Sequence, residues 1–208
     1  MEEIDKLIRR AQNGDAEAFE QIMAPLEKRV YGLAYRITNN REDAFDCTQE
    51  VMMRAFRSIS DYRFQGAFTT WVFRITTNVC LDMIRRRRVK PYVSLDAIHD
   101  NGMLFANRAE NPLDEIIRND LSNDLHRCIA RLPLDYRVII VLRDIQGLSY
   151  DEISQVLKLN LGTVKSRIYR ARERIRKMMY KRHGKDLEEL NAFGSVNYVR
   201  KERRSDDM

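Results

Sequence analysis

An all-α fold is predicted for this 208-residue chain, and three observations predict it. Apolar residues recur at helical spacing along most of its length. Only eight Gly and four Pro punctuate it, which leaves room for long helices. Apolar residues at 44% and charged residues at 33% suit helices with modest cores rather than a membrane protein or an unstructured chain.

The elements follow in order. Ile4, Leu7, Ile8 and Ala11 form a first apolar stripe, which Asn13-Gly14-Asp15 breaks. A second runs from Ala16 through Phe19, Ile22, Met23, Leu26, Val30 and Leu33 to Ile37, closed by Thr38-Asn39-Asn40. A third, from Asp43 to Ile59, turns Ala44, Cys47, Val51, Ala55 and Phe56 toward a core. After a short loop, Asp61 to Ala67, a fourth helix is predicted from Phe68 to Arg86, with Trp71, Val72, Ile75 and Val79 on one stripe. The period is lost between Val89 and Pro112 and returns with Leu113, Ile116, Ile117, Leu121, Leu125, Cys128, Ile129 and Leu132. Three more helices fit before Arg182. The expected organisation is two small helical domains, residues 1–90 and 113–182. A flexible linker over 91–112 joins them, and a polar, disordered tail over 183–208 follows.

Lys and Arg number 37 against 31 Asp and Glu, a net charge of +6. The distribution says more than the total. Met1 to Glu27 is acidic, whereas bases concentrate at Arg85 to Arg88 and from Lys165 to Arg182. Two separate basic clusters fit two contacts with a polyanion. Cys47, Cys80 and Cys128 are isolated within helical patterns, which points to buried free thiols and a reducing compartment. The start, Met1-Glu2-Glu3-Ile4-Asp5, is the reverse of a basic leader, and no apolar run is long enough to span a bilayer. A cytoplasmic protein is expected. His99, His126 and His183 are scattered, so neither a metal nor a cofactor is expected.

The sharpest local signal is Gly147-Leu148-Ser149-Tyr150-Asp151-Glu152-Ile153. Gly147 can end one helix in a left-handed conformation. Ser149 and Glu152 form a capping box, and Leu148 with Ile153 sits where a hydrophobic staple would clamp the next helix. That helix turns Ile153, Val156 and Leu157 inward. A turn over Lys158 to Gly162 then leads into a helix beginning near Thr163, whose narrow stripe is Val164, Ile168, Ala171 and Ile175. The rest of it is Lys, Arg, Ser, Thr and Tyr with a single acid, Glu173. Like charges four residues apart repel unless an anion is bound. The pattern is therefore a helix-turn-helix, the second domain being of winged-helix-like or four-helix type. The second helix of such a unit places its N-terminal residues in the major groove.

The N-terminal half decides the class. Asp46, Gln49 and Glu50 share one helix face, within D-x-x-Q-E-V. The run Asp61-Tyr62-Arg63-Phe64-Gln65-Gly66-Ala67-Phe68-Thr69-Thr70-Trp71 continues to Asn78, Asp82 and the four arginines. With the G-L-S-Y-D-E-I and G-T-V-K-S-R-I-Y-R-A-R-E blocks downstream, residues from about Ala11 to Lys181 resemble the extracytoplasmic-function sigma factors of RNA polymerase. The resemblance implies a promoter-specific initiation factor without catalytic residues. Its partners would be core RNA polymerase, promoter DNA and an anti-sigma factor, membrane-anchored in many family members, with no small-molecule substrate. It implies that Asp46, Gln49 and Glu50 meet the polymerase clamp helices. It implies that Tyr62, Arg63, Phe64, Gln65, Arg74, Asn78, Arg85 and Arg86 meet the minus-ten element, with a flipped base captured near Asn78. Tyr62 and Phe64 are the aromatics expected on DNA, while Trp71 is expected in the core. Arg143, Thr163, Lys165, Ser166, Tyr169 and Arg170 would read the minus-thirty-five element. Lys165 stands where many relatives have Arg, and Tyr169 where many have Phe; a Lys is a point donor rather than a fork. A conventional DNA-binding regulator would explain the helix-turn-helix but not the aromatic loop. An enzyme is disfavoured because no P-loop, H-E-x-x-H or deaminase signature is present.

Overall fold

A computed structural model describes residues 2–64, 66–89 and 122–183, and within these every regular element is helical. The proposed linker, Leu113 to Leu121, the tail after His183 and Gln65 lie outside the described residues. The N-terminal group comprises α1 (Glu2–Gln12), α2 (Ala16–Thr38), α3 (Arg41–Ser58) and α4 (Phe68–Val89). Local chemistry sets the boundaries. Asp15 caps α2 by accepting from the Ala18 N–H at 3.0 Å, and Asn40 caps α3 by accepting from the Asp43 N–H at 2.9 Å. Asn39 closes α2 in the left-handed region, φ 56°. Val30, Leu33, Ile37, Val51, Val72 and Phe73 are fully buried between α2, α3 and α4. Trp71 is in this core, as its stripe predicts. Phe56 departs from expectation: it is exposed, and its ring meets only the edge of Phe19 on the outer side of α3.

The C-terminal group begins with α5 over 122–130. It continues through α6 (Leu134–Ile140), α7 (Tyr150–Leu157) and α8 (Leu161–His183). The end of α6 widens into one π-helical turn, Val141–Ile145. Ile139, Leu142, Ile153 and Ile168 make its core. No strand is present among the described residues, so the group is a four-helix unit without a wing. Asp144 takes Arg172 Nη2 at 2.6 Å and Nε at 3.2 Å and fixes α8 against the π turn. At the far end Asp124 of α5 meets His183 Nε2 at 2.7 Å and Arg182 Nε at 3.0 Å. The last turn of α8 is thereby held in place, and the helix reaches His183, which sequence had placed in the tail.

The two groups touch. α7 packs on α4, and α2 packs on α6 and its π turn. Arg137 Nη1 donates to the Ile37 carbonyl at 3.0 Å, and Thr70 Oγ1 meets Glu152 Oε1 at 2.6 Å.

Candidate nucleic-acid and polymerase interfaces

The helix-turn-helix is built by backbone chemistry that the sequence states locally. Gly147 adopts φ +77°, and the Leu148 N–H then reaches back to the Leu142 carbonyl at 3.1 Å. Ser149 Oγ accepts from the Glu152 N–H at 3.2 Å, while Glu152 Oε2 accepts from the Ser149 N–H at 2.8 Å. Both halves of the capping box are made. Burial works against ionising Glu152, but hydrogen bonds from Thr70 and Ser149 outweigh it and hold the carboxyl below its usual range. Lys158 closes α7 in the left-handed region, and Asn160 Oδ1 accepts from the Thr163 N–H at 2.7 Å. That cap starts α8 at Leu161, two residues before the sequence-based boundary.

On α8, Val164, Ile168 and Ala171 face inward, which leaves Lys165, Ser166, Tyr169 and Arg170 in solvent and Thr163 at the rim. Tyr169 is 69% exposed. An aromatic ring this open contributes little to the core, and Lys165 and Arg170 have no acidic partner among the described residues. The lone acid Glu173 is taken by Arg176, at 2.9 and 3.0 Å. The outer face of α8 thus presents Lys165 and Arg170 without an acid, beside Ser166, whose hydroxyl donates to the Thr163 carbonyl at 3.1 Å and keeps its lone pairs for a donor. Arg143 does not join it. Its guanidinium lies over the Tyr150 ring at 4.6 Å and donates to the Leu148 carbonyl at 2.9 Å. In this structure it braces the turn before α7.

The N-terminal cleft lies where the loop meets α4. Asp61, Tyr62, Arg63, Thr70, Trp71 and Arg74 line it. Tyr62 is 7% exposed, with its ring 5.0 to 5.6 Å from Phe64, Phe68 and Trp71 and its hydroxyl donating to the Gly66 carbonyl at 2.7 Å. It is a wall of the cleft and the anchor of the loop rather than an exposed stacking platform. Phe64 is half-buried, in the left-handed region at φ +57°, with Arg9 of α1 over its ring at 4.9 Å. Gln12 Nε2 donates to the carbonyls of Ile59 and Tyr62 at 3.0 and 2.8 Å, tying the loop to α1. No sequence signal marked Gln12 for this.

Arg74, Asn78 and Arg85 are exposed and follow one another at i, i+4 and i+11 along one side of α4. Arg63 and Arg74 line the cleft, whereas Asn78 lies one turn beyond Arg74, outside the cleft lining. Arg86 is exposed near the end of the helix. The result is a cationic track leading from an aromatic cleft, suited to a phosphate backbone with bases turned toward the protein.

On α3, Asp46 and Gln49 are exposed on one face. Glu50 is half-buried and holds Arg54 Nε at 2.6 Å, so it is the least available acceptor of the three. Phe45 and Met53 are also exposed on α3, where sequence reasoning singled out only the polar residues.

These features define a helical DNA-binding protein: a helix-turn-helix with an open basic recognition face, and a second unit carrying a cationic, aromatic-walled cleft. Comparison with known proteins identifies the class more closely. The family profile "Sigma-70 region 2" matches residues 22–89, and "Sigma-70, region 4" matches residues 122–175. The ECF RNA polymerase sigma factor SigW of Bacillus subtilis is 35% identical over 180 residues, which is 85% of this chain and 96% of that protein. The ECF RNA polymerase sigma-E factor of Escherichia coli K12 is 34% identical over 173 residues, 81% of this chain and 90% of that one. The chain belongs to the ECF RNA polymerase sigma factors, and it acts with RNA polymerase in promoter-directed transcription initiation.

Two solved structures share the fold. One is RpoE with the anti-sigma factor NepR from Bartonella quintana, with TM-score 0.63 and 20% identity over 77% of this chain and 96% of that one. The other is CnrH with the cytosolic domain of CnrY, with TM-score 0.60 and 24% identity over 83% and 94%. No helix among the described residues is long and apolar enough to cross a membrane.

Proposed function

We propose a division of labour within the sigma-factor role. Residues 1–90 act as the unit that binds core polymerase and opens the minus-ten element, and residues 113–182 as the unit that reads the minus-thirty-five element. The observation that carries this reading is the pairing of two separate cationic surfaces on one chain: the outer face of α8 and the cleft with its track on α4.

Thr163, Lys165, Ser166, Tyr169 and Arg170 contact the major groove. Lys165 and Arg170 serve guanine edges or phosphates, and Tyr169 packs its ring on the sugar-phosphate wall. Arg143 acts at one remove by holding the turn that sets the tilt of α8. In the N-terminal unit Arg63, Arg74, Arg85 and Arg86 follow the non-template backbone, Tyr62 and Phe64 shape the cleft, and Asn78 offers a donor and an acceptor to an extruded base. Asp46 and Gln49, with Glu50 beside them, accept from a basic helix of the polymerase.

Membership of the sigma factors supports reading the protein as a non-catalytic subunit of the cytoplasmic transcription machinery. An anti-sigma factor is the natural regulatory partner, and a stress-response regulon the natural setting. Both follow from membership of the family and from the sigma–anti-sigma pairing in the two related complexes. The direct experiment is transcription in vitro by core polymerase with and without the protein, followed by permanganate footprinting of the start region. Specific transcripts with thymines unpaired across the minus-ten element are expected only with the protein. Transcripts without any dependence on it would overturn the reading.

A further inference from the structure

The loop before α4 is held from a second helix as well, α1. Asp5, Arg9 and Gln12 stand at i, i+4 and i+7, so one face of α1 carries all three. Two of them touch the loop, and the third acts on it through its charge. Gln12 Nε2 lies 3.0 Å from the Ile59 carbonyl and 2.8 Å from the Tyr62 carbonyl. An amide nitrogen carries two hydrogens, so this one side chain can donate to both carbonyls at once. Those carbonyls bracket the single 3-10 turn, Ile59–Asp61, through which α3 passes into the loop. The Arg9 guanidinium covers the Phe64 ring at 4.9 Å. Burial, and next the Asp5 carboxylate, push the Tyr62 hydroxyl above its ordinary range. The apolar side of α1 docks the helix separately, through Ile8 and Ala11, which are buried against α2.

We infer that α1 is a brace for strand capture, with Gln12 and Arg9 as positioning residues that hold the loop in the shape that takes the minus-ten strand. The inference rests on the reading of the cleft as the minus-ten surface. Two arguments support it. The first is the backbone of Phe64, which lies in the left-handed region at φ +57°. A bulky side chain stays there only where its surroundings over-determine it. Gln12 fixes the backbone two residues before it, and Arg9 lies on its ring. The rings of Phe68 and Trp71 hold Tyr62 from α4, so the contacts from α1 complete the set. The second argument is energetic. An extruded base recovers its lost stacking best in a pocket that is already shaped, because ordering a loose loop on binding would subtract from affinity.

The brace acts on recognition and not on charge. Gln12 is neutral, so removing its donors alters which sequence the loop holds and leaves the dependence of binding on salt as it was. A residue that touched the phosphates directly would do the reverse. It would weaken all sequences alike and make the salt slope shallower. The two roles therefore separate in one experiment. Because Ile8 and Ala11 dock α1 by themselves, the helix stays in place when Gln12 is changed.

The test uses the full chain with core polymerase and a promoter from which the wild-type holoenzyme initiates. Two fluorescent single-stranded oligonucleotides are compared by anisotropy. One carries the non-template minus-ten strand of that promoter and the other a scrambled version, and the ratio of their affinities is the readout. Gln12→Met keeps the length of the side chain and removes both donors. It should lower the ratio about tenfold, as the loss of two neutral hydrogen bonds implies, with the scrambled strand, the salt slope and binding to core polymerase unchanged. Gln12→Lys, whose ammonium can donate to both carbonyls, should restore most of the ratio. Arg9→Gln should lower it about threefold, the size of an exposed cation–π contact. A wild-type ratio for Gln12→Met would overturn the brace. Equal losses with Gln12→Met and Gln12→Lys would overturn it too, since the donors would then not matter. So would a weakening of both strands alike. All three outcomes leave the proposed function standing. A wild-type holoenzyme that holds the promoter strand no better than the scrambled one would overturn the minus-ten reading itself, and the brace with it.

Discussion

Replacing Tyr62 should expose how the loop before α4 is held, because the side chain does two jobs that separate substitutions can divide. The ring is buried among Phe64, Phe68 and Trp71, and the hydroxyl closes the loop by its 2.7 Å bond to the Gly66 carbonyl. Tyr62→Ala removes a buried aromatic. Such truncations cost about 3–5 kcal/mol, and the low end, about 3 kcal/mol, applies where one side of the site is an adaptable loop. Tyr62→Phe keeps the ring and loses one neutral hydrogen bond, about 1 kcal/mol. Urea unfolding of the full chain measures both. With core polymerase, permanganate footprinting should show a large loss of opening for Tyr62→Ala and a small one for Tyr62→Phe. A premelted promoter should restore little of the Tyr62→Ala defect, because the loop that shapes the cleft is itself displaced. Tyr62→Ala with wild-type stability to within about 0.5 kcal/mol would refute the anchoring role. It would return Tyr62 to a direct contact with DNA.

Other outcomes follow from the same geometry. The bidentate Asp144–Arg172 pair has side chains only 10% and 21% exposed, so a double-mutant cycle with Asp144→Asn and Arg172→Gln should give a coupling of about 1.5–3 kcal/mol; a value under about 0.5 would mean that α8 is positioned by packing alone. Asp46→Ala with Gln49→Ala should weaken binding to core polymerase with the fold intact, since both side chains are in solvent, and an unchanged pull-down would remove the α3 face from the interface. Binding of the full chain to a minus-thirty-five duplex should fall with salt at a slope near −5 if about six phosphates are neutralised, whereas a flat response would deny α8 a role on DNA. Glu152 has a carboxyl drawn below its ordinary value of 4.5, so the stability it lends is complete above that pH and is lost as pH falls through the lowered value. Acid titration by circular dichroism should show this loss, and Glu152→Gln should flatten it.

How much the sequence disclosed depended on the range over which each feature is decided. Gly147, Ser149 and Glu152 act within six residues of one another, through backbone groups whose needs are fixed by helix geometry, and their roles were legible. Trp71 was legible too, because a stripe on a 22-residue helix has only one side to bury. Tyr62 was not. A loop has no period, and the Tyr62 ring is buried by Phe64, Phe68 and Trp71 only once the loop folds back on α4, where Gln12 of α1, fifty residues away, holds its backbone carbonyl. Phe56 fails in the opposite sense: its place at the edge of the α3 stripe reads as core, yet α2 offers it only the edge of Phe19.

Arg143 shows what residue type alone leaves open. The same guanidinium that could fork onto a guanine also satisfies a carbonyl at a helix turn and covers a tyrosine ring, and both of those partners lie within seven residues of it. Lys165 and Arg170 are cations too but have no such neighbours, because they stand on the outer face of a long helix whose inner stripe is only one residue wide per turn. Function therefore concentrates where the fold leaves cations without internal work. On this chain that selects Lys165 and Arg170 on the outer face of α8 and Arg74 on α4, whereas Arg85 further along is shared with Asp82 at 3.3 Å. The first lies in solvent, and the second borders a cleft whose opposite wall is Gln155 and Val156 of α7.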